Sequence, residues 1–484
     1  MPLQAIYALS PIIITATAAV VVMLGISIYR DHRLTVALTI LGFIAAIIAL
    51  PCVYKLVPIQ ATPLIIIDHY AIFFTGLILS TGIVVALLCY AFFANDEAEN
   101  EELYLLLITA VLGAIVLVSS RHFATLFLGL ETLSVSLFAM IGYTLKNALS
   151  LEAGLKYIVL SGISSAFILF GGALIYAELG TFVFADMAML AAIIKPTSLV
   201  VVGLAMIVAG LAFKLSLVPF HLWTSDVYEG APAPVTAFVA TVSKGAIFAL
   251  LLRYFSTSDA FDYYPVVLVF TILAVLSILI GNLLALQQNN LKRLLAYSSI
   301  AHMGYLLIPF IAASGMDKGL VVEAATFYLV AYFITTLGAF GIIAVASESN
   351  EEIQLIEDYR GWFWQKPIMA FVLTAMLLSL AGIPLTAGFI GKFYVFAAGL
   401  DASLWLLIMV LIVGSGMGLY YYLRVVLVML EKPESEASIV EDKSTQPGIG
   451  QLTVIALAVL LVYLGVFPGA LTELIRNMAR IFAA

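Results

Sequence analysis

The sequence predicts an all-α polytopic membrane protein of about fourteen transmembrane helices, with two inverted five-helix repeats and two broken helices. Three observations carry that expectation: a composition that a water-facing fold does not accommodate, a succession of apolar runs long enough to span a bilayer, and two proline breaks at matching offsets. Of 484 residues, 64% are hydrophobic and 10% charged, and the mean hydropathy is +1.15. A soluble chain is about 45–50% apolar and about 25% charged, and large soluble chains divide into domains with polar skins. The composition therefore excludes a soluble enzyme, a secreted disulfide scaffold, a disordered chain and a nucleic-acid binder. The 21 Lys and Arg against 29 Asp and Glu leave a net charge of −8, with no basic tract to grip phosphates. Cys52 and Cys89 lie in or beside apolar runs and provide neither a metal-ligand spacing nor a disulfide framework. Met1 to Ile28 contains no Lys or Arg, so the basic start of a cleavable signal is missing.

A hydrocarbon core about 30 Å thick needs about 20 apolar residues per helix. Runs of that length fall near 5–28, 34–54, 70–93, 103–118, 123–145, 157–177, 197–218, 235–254, 264–286, 293–313, 321–347, 368–386, 404–430 and 449–471. The short segments 219–230 and 387–400 read as half-helices of the seventh and twelfth spans. Ten-residue alternating segments are absent, which argues against a β-barrel. With the N-terminus outside, 11 Lys and Arg fall in inner loops and seven in outer ones, so the charge bias favours both termini outside. The acidic runs after Asn95 and Leu430 read as solvated loops.

Spans four to eight and nine to thirteen form two units, with Pro219 lying 116 residues after position 103 and Pro384 lying 120 after position 264. Five helices is an odd number, so the second unit enters from the opposite face, as in transporters built from inverted repeats with helices broken at the midplane. The expected organisation is an N-terminal three-helix unit over 1–102, a first repeat over 103–254, a second over 255–430, and a C-terminal loop and helix over 431–484.

Charges at a helix centre are costly, roughly 2.5–3.5 kcal/mol each on insertion scales, and persist where they face a bundle interior, water or one another. Four stand out. Glu131, in TLFLGLETLSVSLF, either modulates a neighbouring charge or fixes helix packing. Lys214, in GLAFKLSLVPFHLW, lies five residues before the Pro219 break; it either exchanges protons in a hydrated pocket or extends to the surface. Lys244, in ATVSKGAIFALLLR, and Lys392, eight residues after Pro384, read as proton sites or as structural lysines. Burial disfavours the ammonium form and a nearby carboxylate favours it. A lysine whose anionic partner moves can therefore take up and release a proton near neutral pH. Glu131 and Lys214 form the natural pair if spans five and seven meet.

Weaker candidates surround these. His221 beside the first break and His302 among small polar residues are relay or packing residues. Lys156, spaced i, i+4 from Glu152, marks a solvated entrance or a transport element, and Tyr297 is relay or packing. Gly414, Gly416 and Gly418 miss the dinucleotide fingerprint and read as helix packing.

The stretches KLSLVPFHLWTSDVYEGAPAPVTAFVATVSKGAIF, LKRLLAYSSIAHMGYLL and LSLAGIPLTAGFIGKFYV closely resemble the antiporter-like membrane subunits of respiratory complex I, the NADH:quinone oxidoreductase. Within that family the residues side with the N-type branch. Lys244 stands in a segment without the histidine of the L and M types, Lys392 stands where the M type usually has glutamate, and no long lateral helix follows the last span. Ser225 departs from the proline found in many relatives.

The resemblance implies a proton-translocating subunit in a bacterial inner membrane. Glu131 and Lys214 would be its modulating pair, Lys244 the central relay and Lys392 the terminal site, with Lys156, His221, Tyr297 and His302 at pathway-associated positions. It implies no cofactor in this chain; NADH, FMN, iron–sulfur clusters and quinone are bound by partner subunits. The partners are a neighbouring antiporter-like subunit, small membrane-arm subunits and the lipid bilayer. The alternatives are a subunit of a multisubunit cation/proton antiporter or membrane-bound hydrogenase, a scaffold with relic lysines, and, least supported, a small-molecule carrier.

Overall fold

A computed structural model describes residues 3–94, 100–187, 197–257, 264–313, 318–347, 352–432 and 448–480. Position 98 of the first acidic run, Lys195, and most of the second acidic run lie outside the described residues. The regular structure of the described chain is helical, apart from one antiparallel pair of two-residue strands, Ile59–Gln60 and Ile66–Ile67, and isolated β-bridges.

In order, the helices are α1 (Leu3–Ala8), α2 (Ser10–Ile28), α3 (His32–Tyr54), α4 (His69–Phe92), α5 (Glu102–Val118), α6 (Phe123–Ile141) and α7 (Ala148–Leu179). Then come α8 (Ser198–Lys214), α9 (Trp223–Gly230), α10 (Ala233–Phe238) and α11 (Lys244–Thr257), the last two joined by a π-helical turn over Val239–Ser243. They are followed by α12 (Tyr264–Leu286), α13 (Leu291–Ala312), α14 (Lys318–Ala346), α15 (Trp362–Gln365), α16 (Pro367–Ala381), α17 (Ala387–Asp401), α18 (Trp405–Leu430), α19 (Ile449–Val466) and α20 (Gly469–Ala479).

Among the described residues, 11 helical segments are long and apolar enough to cross a membrane. Three shorter apolar helices, Glu102–Val118, Ser198–Lys214 and Pro367–Ala381, stand where the sequence places further spans. Two of them are short because the helix is interrupted behind Lys214 and behind Ala381.

Boundaries differ from expectation where side chains cap the backbone. Helix α7 starts at Ala148 rather than near 157, because Asn147 accepts from the Leu149 amide (3.0 Å) and Glu152 and Lys156 pair within the helix. The last apolar run divides at Pro468 into α19 and a short amphipathic α20, which buries Ile475 and Met478. Asp68 caps α4 and Asn290 caps α13 through the Ala71 and Arg293 amides, 2.7 and 3.1 Å away. Such caps matter in a bilayer, where unpaired backbone groups find no water.

Enclosure is uneven, and it locates the core. The most apolar windows of α2 and α3 are 28% and 33% buried, whereas the α10–α11 segment is 100%, α13 94% and α14 89% buried. These three inner segments carry Lys244, Ser299, His302 and Tyr332. Around them helices pack closely through small residues: a Cβ on Gly203 of α8 would stand 2.7 Å from the Gly171 carbonyl of α7, so only glycine allows this approach.

The two interruptions are built alike. Behind α8, Ser216 is left-handed (φ 61°), and the chain runs unwound to α9; behind α16, Gly382 (φ 87°) and Leu385 (φ 71°) are left-handed. Each break leaves a carbonyl without its helical partner. The Phe213 carbonyl accepts from the Trp223 indole (3.1 Å), and the Ala381 carbonyl accepts from Lys392 Nζ (2.8 Å). The Val218 amide in the first break donates to Ser277 Oγ of α12 (3.0 Å).

Candidate functional site

Lys214 ends α8, and its Nζ donates to Ser134 Oγ of α6 (2.8 Å) and Ser161 Oγ of α7 (2.6 Å), with the side chain buried. Glu131 lies one turn before Ser134 on α6 and accepts from the Ser165 hydroxyl, one turn after Ser161 on α7. The expected pair is therefore brought together, but indirectly. No ion pair joins Glu131 to Lys214; two serines on α7 and one on α6 stand between them, and the carboxylate still acts on the ammonium electrostatically. Behind this cluster the buried Tyr157 ring packs on Trp223, its centroid 5.0 Å away, and its hydroxyl lies beside Ser243, the neighbour of Lys244.

Lys244 begins α11 directly after the π-turn and is almost wholly enclosed, at 1% exposure. Its Nζ lies 5.2 Å from the Tyr228 ring centre and donates to Ser299 Oγ (2.7 Å). Ser299 in turn is hydrogen-bonded to Tyr332 Oη of α14 (2.6 Å).

His302, one turn beyond Ser299 on α13, has Nδ1 at 2.7 Å from Tyr328 Oη and Nε2 at 3.3 Å from Tyr422 Oη. A small cavity lies between His302, Tyr328, Tyr332, Thr335 and Lys392. Lys392 lines it, held by the Ala381 carbonyl and lying 5.3 Å from the Tyr305 ring centre.

Lys156 and Tyr297 belong to a different cluster, which ties the start of α7, α9 and the start of α13 together. Lys156 pairs with Glu152 (2.7 Å) and Asp226 (2.6 Å), Arg293 pairs with Asp226 (3.0 Å) and Glu229 (2.5 Å), and Tyr297 donates to Ser225 Oγ (3.3 Å). Ser225, where many relatives have proline, thus supplies an acceptor. Lys292, fully enclosed, binds Glu352 and the Ala231 carbonyl (2.6 Å), fixing the turn between α9 and α10. His221 stays in the first break: its Nδ1 is buried without a partner, as are the hydroxyls of Ser216 and Thr224, and it makes no hydrogen bond to Lys214.

Sequence reasoning found the four principal charges and missed the groups that join them: Ser134, Ser161, Ser165, Ser299, Tyr328, Tyr332 and Tyr422. Serine and tyrosine are ordinary in apolar helices, and their facing partners lie 26 to 120 positions away in the chain. The one available signal was the pairing of small polar residues with each buried charge, as in SVS after Glu131 and SS before His302.

Hydroxyls donate and accept, so this succession of ammonium, serine, tyrosine and imidazole groups is chemically able to pass protons. An all-helical membrane bundle with two interrupted helices and lysines enclosed between them is the architecture of an ion-translocating membrane protein. The chain belongs to the family described as NADH:quinone oxidoreductase/Mrp antiporter, whose membrane region matches residues 120–418. Subunit N of NADH-quinone oxidoreductase from Methylococcus capsulatus is 49% identical over 99% of this chain and 96% of its own length. The subunit N from Ectopseudomonas mendocina is 46% identical over 99% of this chain and 98% of its own. Among solved structures, a chain of respiratory complex I from Thermus thermophilus with bound aureothin superposes with a TM-score of 0.80 at 31% identity, over 96% of this chain and 98% of that one.

Proposed function

We propose that this chain is an N-type proton-translocating membrane subunit of NADH:quinone oxidoreductase, in which quinone reduction elsewhere in the complex drives protons through buried Lys and Glu sites. One observation carries the reading: Lys244, Ser299, Tyr332, His302 and Lys392 form a nearly unbroken polar line through the three most enclosed helices, ending at a helix break. Lys214 and Glu131 stand at the other break, with the serines between them adjusting how strongly the carboxylate holds the ammonium. Moving a proton against 100 mV requires about 2.3 kcal/mol, and a shift of carboxylate position in a low-dielectric interior supplies changes of that size.

In this reading the chain crosses an inner membrane 14 times with both termini periplasmic, counting the three short apolar helices as crossings beside the 11 longer ones. Helices α5–α11 and α12–α18 are its two inverted units. Its partners are a neighbouring antiporter-like subunit and small membrane-arm subunits, which together with the peripheral arm hold NADH, FMN, iron–sulfur clusters and quinone.

The test is NADH-driven proton uptake by the assembled complex in closed vesicles. Lys244→Ala should abolish or strongly slow uptake with assembly intact, and flavin and iron–sulfur subunits should copurify with the chain. Normal uptake in the variant would remove the line of residues from the mechanism.

A further inference from the structure

We propose that the hydroxyls of Ser299 and Tyr332 are themselves proton carriers, forming the conducting link between Lys244 and the cavity in front of Lys392. This inference rests on the proton-translocating reading above and assigns the step that reading leaves open: how a proton leaves Lys244.

The geometry admits few exits. Lys244 Nζ has one hydrogen-bonding side-chain partner, Ser299 Oγ, at 2.7 Å; its other close polar neighbour is the face of the Tyr228 ring. Ser299 passes the contact to Tyr332 Oη at 2.6 Å, and the Tyr228 hydroxyl is a distant second neighbour at 3.4 Å. Tyr332 then lines the small cavity that Lys392 also lines. His302 does not touch Ser299 by hydrogen bond: its two nitrogens are engaged by Tyr328 and Tyr422. The route through Tyr332 is therefore the direct one, and His302 lies alongside it, with its ring centre 5.5 Å from that of Tyr332.

The step balances in protons with one water molecule in the cavity as the carrier between Tyr332 and Lys392, the cavity being of about that size. Lys244 ammonium gives a proton to Ser299 Oγ as the Ser299 hydroxyl proton moves to Tyr332 Oη. The Tyr332 hydroxyl proton then passes into the cavity and on to neutral Lys392. Each hydroxyl ends with one proton, as it began, and each O–H must rotate before the next transfer. Both residues are needed because a hydroxyl both accepts and donates, whereas a methyl or a bare ring edge does neither. Both are fully held by packing, with Ser299 at 2% and Tyr332 at 3% exposure, so bulk water does not supply a substitute path at that point.

The experiment measures NADH-driven proton uptake and its solvent deuterium isotope effect in closed vesicles holding the assembled complex. The chain carries Tyr332→Phe, Ser299→Ala, Ser299→Thr, Tyr421→Phe or Lys244→Ala. Tyr332→Phe keeps the ring and removes the carrier; it should slow uptake about 100-fold, the lower end of the range for positioned acid–base groups, and raise the isotope effect. Ser299→Ala should do the same, while Ser299→Thr, which keeps a hydroxyl and so reports on folding, should recover most of the rate. Tyr421→Phe deletes an equally buried hydroxyl, bonded to Asn282 at 3.0 Å and adjoining Tyr422 but outside the Lys244–Ser299–Tyr332 link, and should leave the rate near the parent value. Uptake at the parent rate in Tyr332→Phe, or a loss in Tyr421→Phe as large as in Tyr332→Phe, overturns the link. If Lys244→Ala fails to pump while Tyr332→Phe pumps normally, only the link is lost; if Lys244→Ala pumps normally, the functional reading falls with it.

Discussion

Lys392 donates from Nζ to the Ala381 carbonyl at 2.8 Å, so the helix break in front of this lysine is also its hydrogen-bond partner. The carbonyl is free because Gly382 turns left-handed (φ 87°) and ends α16. The lysine side chain lies over that glycine: a Cβ there would stand 2.7 Å from Lys392 Cδ. The break thus supplies two things at once, an acceptor for the ammonium and room for its stem.

Gly382→Ala should disturb both. A left-handed non-glycine residue costs roughly 1–2 kcal/mol, and the added methyl displaces the lysine. We expect an assembled complex with a lowered thermal midpoint and proton uptake reduced several-fold. Unchanged uptake together with a lowered midpoint would show that the position of Lys392 tolerates displacement.

Lys214 sits at the other break, and its partners are hydroxyls rather than a carboxylate. Lys214→Arg keeps the charge, but a guanidinium effectively never deprotonates. The variant should assemble and lose most coupled pumping, as should Lys214→Ala. Ser134→Ala with Ser161→Ala should retain partial activity, because the lysine survives but loses the groups that hold it apart from Glu131. An arginine variant that pumps at the parent rate would remove deprotonation at this position from the cycle.

Asp68 and Arg253 form a two-pronged buried ion pair (2.7 and 2.8 Å), with Arg253 also donating to the Val118 carbonyl (3.1 Å) and lying 4.8 Å from the Tyr70 ring centre. It joins α4 to the ends of α5 and α11, and so ties the N-terminal helices to the helix of Lys244. Burial alone would raise the Asp68 carboxyl, but the Arg253 charge and hydrogen bonds outweigh it and hold the group below the usual carboxylate range. A carboxyl held low in the folded state stabilises above its unfolded value, about 3.9, and that stability is lost as pH falls through the folded value. Arg253→Met should cost about 3–5 kcal/mol by stranding the aspartate, whereas Arg253→Met with Asp68→Leu should recover much of it. Thermal unfolding of the purified complex, near neutral pH, measures both.

The lysines were legible in the sequence because a charge inside an apolar run is costly enough to need a reason. Pro219 and Pro384 likewise announced the breaks, since proline removes a helical donor. The residues that turn left-handed, Ser216 and Leu385, carry no such mark, since neither is of a type that favours that conformation. Nor does spacing reveal that Ser299 faces Tyr332 or that Ser165 faces Glu131, because those contacts depend on how separate helices come together. The start of α7 shows the limit of hydropathy: the apolar run begins near 157, whereas the helix begins at Ala148, where Asn147 caps it and the i, i+4 pair Glu152 and Lys156 lies within its first turns.

Lys244 and Lys392 should behave as successive stations on one path. Lys244 reaches Tyr332 through Ser299, and the cavity beside His302 extends from Tyr332 to Lys392, so among the described residues no hydrogen bond gives either lysine a separate connection across the centre. Methionine approximates the length of lysine but holds no proton. Lys244→Met and Lys392→Met should therefore each lower proton uptake, and with it coupled NADH oxidation, in a complex that still assembles. The double variant should be little worse than the worse single one, because removing either station interrupts the same path, and residues that act as a unit contribute non-additively. Losses that add in the logarithm of the rate, measured in closed vesicles at equal assembly, would indicate two independent paths and reject the serial arrangement.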